Sequence, residues 1–236
     1  MSLEFPAAMP HDDIEELFEN VFMVRGSIVL PNGLPISRNM VIVKRDSGLT
    51  LINTVRLDER GLQELEALGA VKHVVRIGAF HGIDDPFYVD RYQAELWAPP
   101  GITHNLGFET SQELVPSGNM PFEGCSYFHF ETANAPEGLL LLEQDGGILV
   151  SCDAMQNLAE ADHYFTEESA EKMRELGYIK PAAVGVGWLN GARPQPADSV
   201  RINALTYQHL LSAHGAPIKQ TAKVQFAETF KTLFGI

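Results

Sequence analysis

Apolar positions in the first part of the chain recur with the two-residue period of half-buried strands. Residues 21–30 alternate in this way and end in the turn-forming run Pro31-Asn32-Gly33. Residues 40–43 and 49–52, joined by Asp46-Ser47-Gly48, are rich in the β-branched side chains that pleated surfaces favour. The spacing of the three segments predicts an antiparallel meander.

The hydrophobic period then lengthens to that of an amphipathic helix. Leu62, Leu65 and Leu68 recur at helical spacing. Asp58 is a candidate N-cap for this helix, and Gly69 is typical of a helix end. The segments that follow predict a buried strand, a helix and a short strand, over residues 71–77, 86–92 and 95–98. Together they predict a β-α-β unit.

The second half of the chain repeats this order of strands and helices. Strands are predicted over residues 125–130, 139–143 and 148–151. Helices are predicted over residues 167–176, from about residue 199 into His209, and at the C-terminus, where Phe226, Phe230, Leu233 and Phe234 share one face. Strands followed by helices, twice over, predict one α/β (α+β) domain over residues 1–236, with two sheets between helices.

Composition and charge narrow the classes of partner. The 236 residues are 45% hydrophobic and 20% charged, as in a globular protein that needs no disulfide framework. Seventeen basic against 31 acidic residues give a net charge of −14, which repels nucleic acid and anionic membrane surfaces. We therefore expect a small-molecule ligand that is neutral, cationic or bound through a metal. The composition and charge leave the oligomeric state open.

Cysteine content and the N-terminal segment bear on the compartment. Cys125 and Cys152 are the only cysteines, too few for a disulfide framework. Residues 1–6 show no basic region followed by an apolar one, so no signal peptide is predicted. The longest apolar runs, such as residues 138–142, have the length of a strand and not of a membrane span. A cytoplasmic protein is expected.

Side chains that bind metals cluster near the predicted ends of strands. His81, Asp84 and Asp85 follow one buried strand, the loop over residues 132–138 follows a second, Asp153 follows a third, and His214 comes late in the chain. Loops at strand ends are where α/β folds assemble sites, because the sheet holds the converging loops in place. Imidazoles and carboxylates are ligands for zinc, iron or manganese.

Three segments resemble the metallo-β-lactamase superfamily, which includes glyoxalase II and lactonases. Residues 19–26 resemble its opening strand, residues 148–154 the strand that ends in its bridging aspartate, and residues 210–218 its late His-Gly segment. The resemblance covers nearly the whole chain. It implies a four-layer αββα sandwich and a metal-dependent hydrolase.

The resemblance also implies a reduced set of metal ligands. The superfamily's His-x-His-x-Asp-His motif aligns with residues 81–86, where His81 and Asp85 match. Ile83 and Pro86 replace the two other histidines, and Asn134 stands where a further histidine ligand falls. None of these three replacements offers the lost imidazole.

Asp153 and His214 match the remaining two ligands of the superfamily. The resemblance therefore implies metal ligation by His81, Asp85, Asp153 and His214, with His81 and Asp85 as catalytic groups as well. One divalent metal is expected, zinc first and iron or manganese as alternatives; a metal-free protein is the other alternative.

Each of these residues also has an interpretation without a metal. Asp85 precedes a proline, as an N-cap does, and Asp84 fits a solvent-exposed position, although an alignment shifted by one residue would exchange their roles. His214 lies where a segment ends, Asp153 could cap a following helix, and His81 could be a hydrogen-bonded loop histidine. Cys152 is expected to be a buried thiol that points away from Asp153.

Three functions follow from these alternatives. The first is a hydrolase of a small ester, thioester or lactone with a mononuclear metal site. The second is a binding module that keeps the fold without the metal. The third is an iron-dependent oxidoreductase, because carboxylates and imidazoles also suit iron.

Overall fold

A seven-stranded and a four-stranded sheet face one another in the computed structural model, which describes residues 3–236. Met1 and Ser2, part of the segment considered for a signal peptide, lie outside the described residues. The strands are β1 (Glu15–Phe18), β2 (Val21–Val29), β3 (Pro35–Arg45), β4 (Gly48–Ile52), β5 (Val71–Val75), β6 (Glu95–Ala98), β7 (Gln112–Glu113), β8 (Cys125–His129), β9 (Gly138–Leu142), β10 (Ile148–Ser151), β11 (Gln156–Leu158), β12 (Lys180–Ala183) and β13 (His209–Ser212). The helices are α1 (Glu59–Leu68), α2 (Asp85–Tyr92), α3 (Glu167–Glu175), α4 (Val186–Ala192), α5 (Pro196–Ala204) and α6 (Ala222–Phe234), and a 3-10 turn covers Asn105–Gly107.

The two sheets differ in how their strands pair. In the larger sheet the order is β1-β2-β3-β4-β5-β6-β7; its first four strands are antiparallel, and β4 to β7 pair in parallel. The smaller sheet has the order β13-β10-β9-β8, and only its β10–β13 pair is parallel. β11 and β12 form a separate pair. The predicted meander and β-α-β unit are thus confirmed.

Three apolar cores define four layers. The first core lies between the sheets and contains side chains from both, including Val43, Val75, Leu140 and Val150. The second joins the larger sheet to α1 and α2, and the third joins the smaller sheet to α4, α5 and α6. This order of helix, sheet, sheet and helix is the predicted αββα sandwich.

Local capping explains why α1 forms where the sequence predicts it. The Asp58 carboxylate accepts a hydrogen bond from Gly61 N at 2.8 Å, and Gly69 follows the last turn. Leu62 and Leu65 are buried on the sheet. A side-chain cap of this kind typically contributes about 1 kcal/mol to helix stability.

Two helix predictions need correction. The predicted helix from residue 199 into His209 is wrong, because α5 ends at Ala204 and His209 begins β13. The main chain at His209 instead donates to Gly147 O at 3.2 Å, next to β10. On α6, Phe226 and Phe230 are buried as predicted, whereas Leu233 is 40% exposed.

Among residues 3–236, no helix has the length and apolar character needed to cross a bilayer.

Candidate metal centre

The candidate site lies where strands from both sheets end. Asp153 follows β10 and His214 follows β13. These two strands pair in parallel with Ser151 opposite Ser212, so the residues two positions further along each strand emerge side by side. His81 reaches the same point from the loop after β5, which belongs to the facing sheet.

The ligand atoms of these three residues converge. His81 Nε2 lies 3.2 Å from His214 Nε2 and 3.3 Å from Asp153 Oδ2, and His214 Nε2 lies 3.5 Å from Asp153 Oδ1. Zinc–ligand bonds of about 2.0–2.1 Å in a tetrahedron place neighbouring ligand atoms about 3.3–3.4 Å apart. The three side chains are 11–13% exposed, so the group is sheltered but open on one side. The donor set and its spacing fit a single divalent ion.

Hydrogen bonds from outside the group orient two of the ligands. His214 Nδ1 lies 3.0 Å from the carbonyl oxygen of Ser37. A carbonyl can only accept, so Nδ1 carries the proton and the Nε2 lone pair faces Asp153 and His81. The side-chain amide of Gln156 donates to Asp153 Oδ1 at 3.2 Å. The imidazole and the carboxylate are therefore held ready for a ligand.

The charge state of Asp153 fits the same role. Burial alone would raise the pKa of this carboxyl, but the adjacent His81 and His214 lower it below its ordinary range. Asp153 is therefore an anion at neutral pH, and a cation bound among the three groups meets a charge of opposite sign.

Two buried amides tie the sheets together beside the ligands. Asn39 on β3 donates from Nδ2 to the carbonyl oxygens of Ser212 and Gly215, at 2.9 and 2.7 Å. Asn53, directly after β4, donates in the same way to Ser151 O at 3.0 Å. The sequence analysis did not identify either residue. The available signal for both is a polar amide within or directly next to an apolar strand.

Comparison with known proteins gives a fold but no sequence relative: no protein-family model matches the chain, and no curated protein matches it. Among solved structures, the chain is similar to the DIM-1 metallo-β-lactamase, with a TM-score of 0.67 over 94% of this chain and 99% of that one. It is also similar to the FIM-1 metallo-β-lactamase from Pseudomonas aeruginosa in its mono-zinc form, with a TM-score of 0.61 over 96% and 97% of the two chains. The sequence identity is 12% in both comparisons. The chain has the metallo-β-lactamase fold.

A third comparison supports the same conclusion. The metallo-β-lactamase from Erythrobacter litoralis gives a TM-score of 0.64 at 14% identity, over 93% of this chain and 96% of that one. The sequence-based prediction of the metallo-β-lactamase fold is therefore confirmed. At this identity the likeness concerns the fold, so the chemistry has to be argued from the residues themselves.

The metallo-β-lactamase fold brings Asp85 to a different environment from that of the three ligands. Asp85 is fully buried at the start of α2, and its Oδ1 accepts a hydrogen bond from Thr54 Oγ1 at 2.6 Å. Burial raises the pKa of this carboxyl. It is not among the groups whose ligand atoms converge with those of His81. Because α2 already includes Asp85, the residue is not the N-cap of that helix.

Asp84 is buried, contrary to the expectation that it is solvent-exposed. Its side chain is 2% exposed and forms an ion pair with Arg38, with Nη2 and Oδ2 2.5 Å apart. The same oxygen accepts from Arg56 N at 2.8 Å. These partners explain how a charged group is tolerated inside the protein, and they leave Asp84 outside the convergent group.

Glu137 lies behind Asp153, in the 132–138 loop that the sequence analysis singled out without naming this residue. It is fully buried, its Oε1 accepts from Ala154 N at 2.5 Å, and its carboxyl group lies within 4.8 Å of ligand atoms of Cys152 and Asp153. Burial, followed by the charge of Asp153, raises the pKa of Glu137 well above its ordinary value. The available signal is that Glu137 is a carboxylate in the same loop in which the resemblance placed a ligand position at Asn134. Asn134 itself donates a main-chain hydrogen bond to Ala192 O.

Cys152 is a buried thiol, as predicted, but it does not point away from Asp153. Its Sγ lies 3.7 Å from Asp153 Oδ2. Burial raises the pKa of the thiol, and the charges of Asp153 and Glu137 raise it further. The neutral thiol is a poor nucleophile, so Cys152 packs the wall behind the ligands.

A cavity of about 770 Å³ opens beside the convergent group, and His81, Asp153 and His214 all line it. The rest of its wall is mainly apolar and includes Ile28, Ile36, Leu158, Phe165, Met173 and Trp188. Its size is typical of a pocket for one small molecule. Asp85 does not line this cavity, so its side chain has no direct path to a molecule bound there.

Proposed function

We propose that this protein is a metal-dependent hydrolase that acts on a small ester, thioester or lactone through a mononuclear site. The observation that carries the proposal is the convergence of His81 Nε2, His214 Nε2 and an Asp153 carboxylate oxygen, 3.2–3.5 Å apart, at the wall of a cavity. Two imidazoles and one carboxylate are a ligand set that catalytic zinc uses, with a further position left open.

The chemistry divides between the ion and the chain. When bound, a divalent ion lowers the pKa of a water molecule and polarises a carbonyl oxygen. His81, Asp153 and His214 hold the ion, while Ser37 O and the Gln156 amide keep two of these side chains oriented. The apolar wall of the cavity binds the substrate and excludes bulk water from its carbonyl group.

The identity of the metal decides between two reaction classes. Zinc fits the imidazole and carboxylate donors and favours hydrolysis. The same two imidazoles and one carboxylate also form the ligand set of non-haem iron oxygenases. Bound ferrous iron with an optical signature would therefore favour the iron-dependent oxidoreductase over the hydrolase.

Metal content is the first test. Protein is incubated with zinc, manganese or ferrous iron, dialysed, and measured by plasma mass spectrometry. We expect about one equivalent of metal in the natural chain and almost none in Asp153→Ala, because the variant removes the only anion of the group. Glu171→Ala, which removes an exposed carboxylate on α3, is the matched control and should keep the metal.

Activity is the second test. The loaded protein is screened against simple esters, thioesters and lactones, and we expect hydrolysis that is lost in Asp153→Ala and kept in Glu171→Ala. Metal at background level in the natural chain would overturn the proposal and favour the metal-free binding module. Metal that binds with equal stoichiometry in Asp153→Ala would show that the ion is held elsewhere.

A further inference from the structure

A short ladder of main-chain hydrogen bonds joins the two sheets next to the segment that leads to His81. Residues 77–79 continue from β5 toward His81, and residues 136–138 lead into β9. Two main-chain hydrogen bonds, of 3.1 and 2.9 Å, and an antiparallel bridge between Gly78 and Glu137 hold these two segments together. The main chain of Glu137 is therefore fixed relative to the segment that carries His81.

The side chain of Glu137 reaches from this ladder to the segment that carries Asp153. Its Oε1 accepts a hydrogen bond from Ala154 N at 2.5 Å, one residue after the candidate ligand. Glu137 is fully buried, so bulk water cannot replace this acceptor, and without it the Ala154 N–H would be left unpaired. Glu137 thus connects the segments of two candidate ligands, His81 from the larger sheet and Asp153 from the smaller one.

Gly78 leaves the space that this connection needs. A Cβ added at Gly78 would lie 2.7 Å from Cys152 Sγ and 3.0 Å from Glu137 Oε2. The first distance is well inside the separation at which non-bonded atoms attract one another. The Glu137 carboxyl group therefore packs against the main chain of Gly78 on one side and is hydrogen-bonded to Ala154 on the other.

From these contacts we propose that Glu137 is a positioning residue of the metal centre, which holds the Asp153 segment against the His81 segment at the spacing that one ion requires. The inference rests on the proposed function, because it assigns a role toward the ion of that site. Glu137 itself is not among the three groups that converge at the cavity wall. The loop in which the resemblance placed a ligand thus supports two other ligands.

Two conservative variants separate the reach of this side chain from its charge. Glu137→Gln keeps an oxygen at the same distance from Ala154 N, whereas Glu137→Asp keeps a carboxyl group on a side chain that is one methylene shorter. We expect zinc affinity within about threefold of the natural chain in Glu137→Gln, and weaker by about tenfold or more in Glu137→Asp, a loss typical of groups that orient metal ligands. Competition with a chelating dye measures both affinities. A zinc affinity of Glu137→Gln no better than that of Glu137→Asp would overturn the proposal.

Cobalt(II) in place of zinc reports the geometry of the ligands through its visible absorption bands. Glu137→Ala should shift or weaken these bands, whereas Asp198→Ala should keep the spectrum of the natural chain. Asp198 is the matched control, because its buried side chain also accepts main-chain hydrogen bonds of 3.0 Å, from Glu131 N and Thr132 N near the start of the same loop. Equal changes in the two variants would attribute the effect to a general loss of stability and would overturn the assignment.

Hydrogen exchange in EDTA separates this inference from the proposed function, because it needs no metal. The Ala154 N–H should exchange about tenfold faster or more in Glu137→Asp than in the natural chain or Glu137→Gln, since its acceptor has moved away. The reference amide is Leu210 N–H, which donates to Ile218 O at 2.9 Å and corrects the Ala154 rate for changes in overall stability.

The two tests together distinguish the ways in which the argument can fail. If the natural chain took up no metal, the hydrolase would be contradicted, and the exchange rate at Ala154 would still decide whether Glu137 holds this segment. If zinc bound but Ala154 exchanged at the same relative rate in all three proteins, the role of Glu137 would be contradicted and the hydrolase would stand.

Discussion

His104 is a residue whose charge is set by its surroundings. It is 9% exposed, and its Nε2 lies 2.9 Å from Thr110 Oγ1. Burial, followed by the nearby Arg76 charge, lowers the pKa of this imidazole below 6.5. Protonation of the folded protein therefore has to place a second cation in a confined space beside Arg76.

The shift at His104 predicts how stability depends on pH. Below about pH 6.5 the unfolded chain protonates His104 while the folded protein does not, so the free energy of unfolding falls as the pH decreases through this value. His104→Asn removes that contribution. Urea unfolding at about pH 7.5 and 5.5 should show a smaller loss of unfolding free energy in the variant, because the variant lacks this proton-linked contribution. His73, whose pKa burial also lowers, contributes to both proteins and cancels in the comparison. Equal losses in the two proteins would contradict the prediction.

At the scale of elements, the position of His214 depends on a strand of the opposite sheet. Asn39 on β3 donates to Ser212 O and Gly215 O, the carbonyls on either side of His214. It is 1% exposed, so water cannot replace its amide. The end of β13 is thus fixed by the larger sheet as well as by its own partner β10.

Asn39→Ala should therefore weaken both the fold and the metal site. Two buried carbonyls lose their side-chain donor, at a cost of about 1–3 kcal/mol each as an upper range, and the segment that carries His214 loses its fixed position. We expect a lower free energy of unfolding and zinc binding that is at least tenfold weaker by competition with a chromophoric chelator. Ser27→Ala is the matched control. Ser27 lies on β2 of the same sheet, away from the ligands, and its Oγ donates to Pro10 O. Zinc affinity equal to that of the natural chain would show that β13 is positioned without Asn39.

The pairing of elements also explains which parts of the site the sequence could predict. Asp153 and His214 each end an apolar strand, and the parallel register of β10 and β13 then places them together. The exact role of Asp84 could not be predicted, since its burial depends on Arg38, which is 46 positions away in the chain. Glu137 was missed for a similar reason: its proximity to Asp153 comes from packing between segments and leaves no local period.

For the whole molecule, the candidate metal centre is a link between the two sheets. His81 belongs to the loop after β5 in the larger sheet, and Asp153 and His214 belong to the smaller one. The sheets are also joined by the apolar core between them and, at the site end, by the hydrogen bonds of Asn39 and Asn53 to the ends of β13 and β10. An ion held by all three side chains would hold this end closed.

Zinc should therefore raise the thermal stability of the protein, and His81 should be required for the full effect. At a zinc concentration a hundredfold above Kd the gain is about 2.7 kcal/mol, which for a chain of this length raises Tm by about 5–10 °C relative to the protein in EDTA. His81→Asn removes the ligand from the larger sheet and should lose most of this shift, whereas Glu171→Ala should keep it. Differential scanning calorimetry in zinc and in EDTA measures both. If His81→Asn kept the full shift, the ion would be bound within the smaller sheet alone and would not link the two halves of the sandwich.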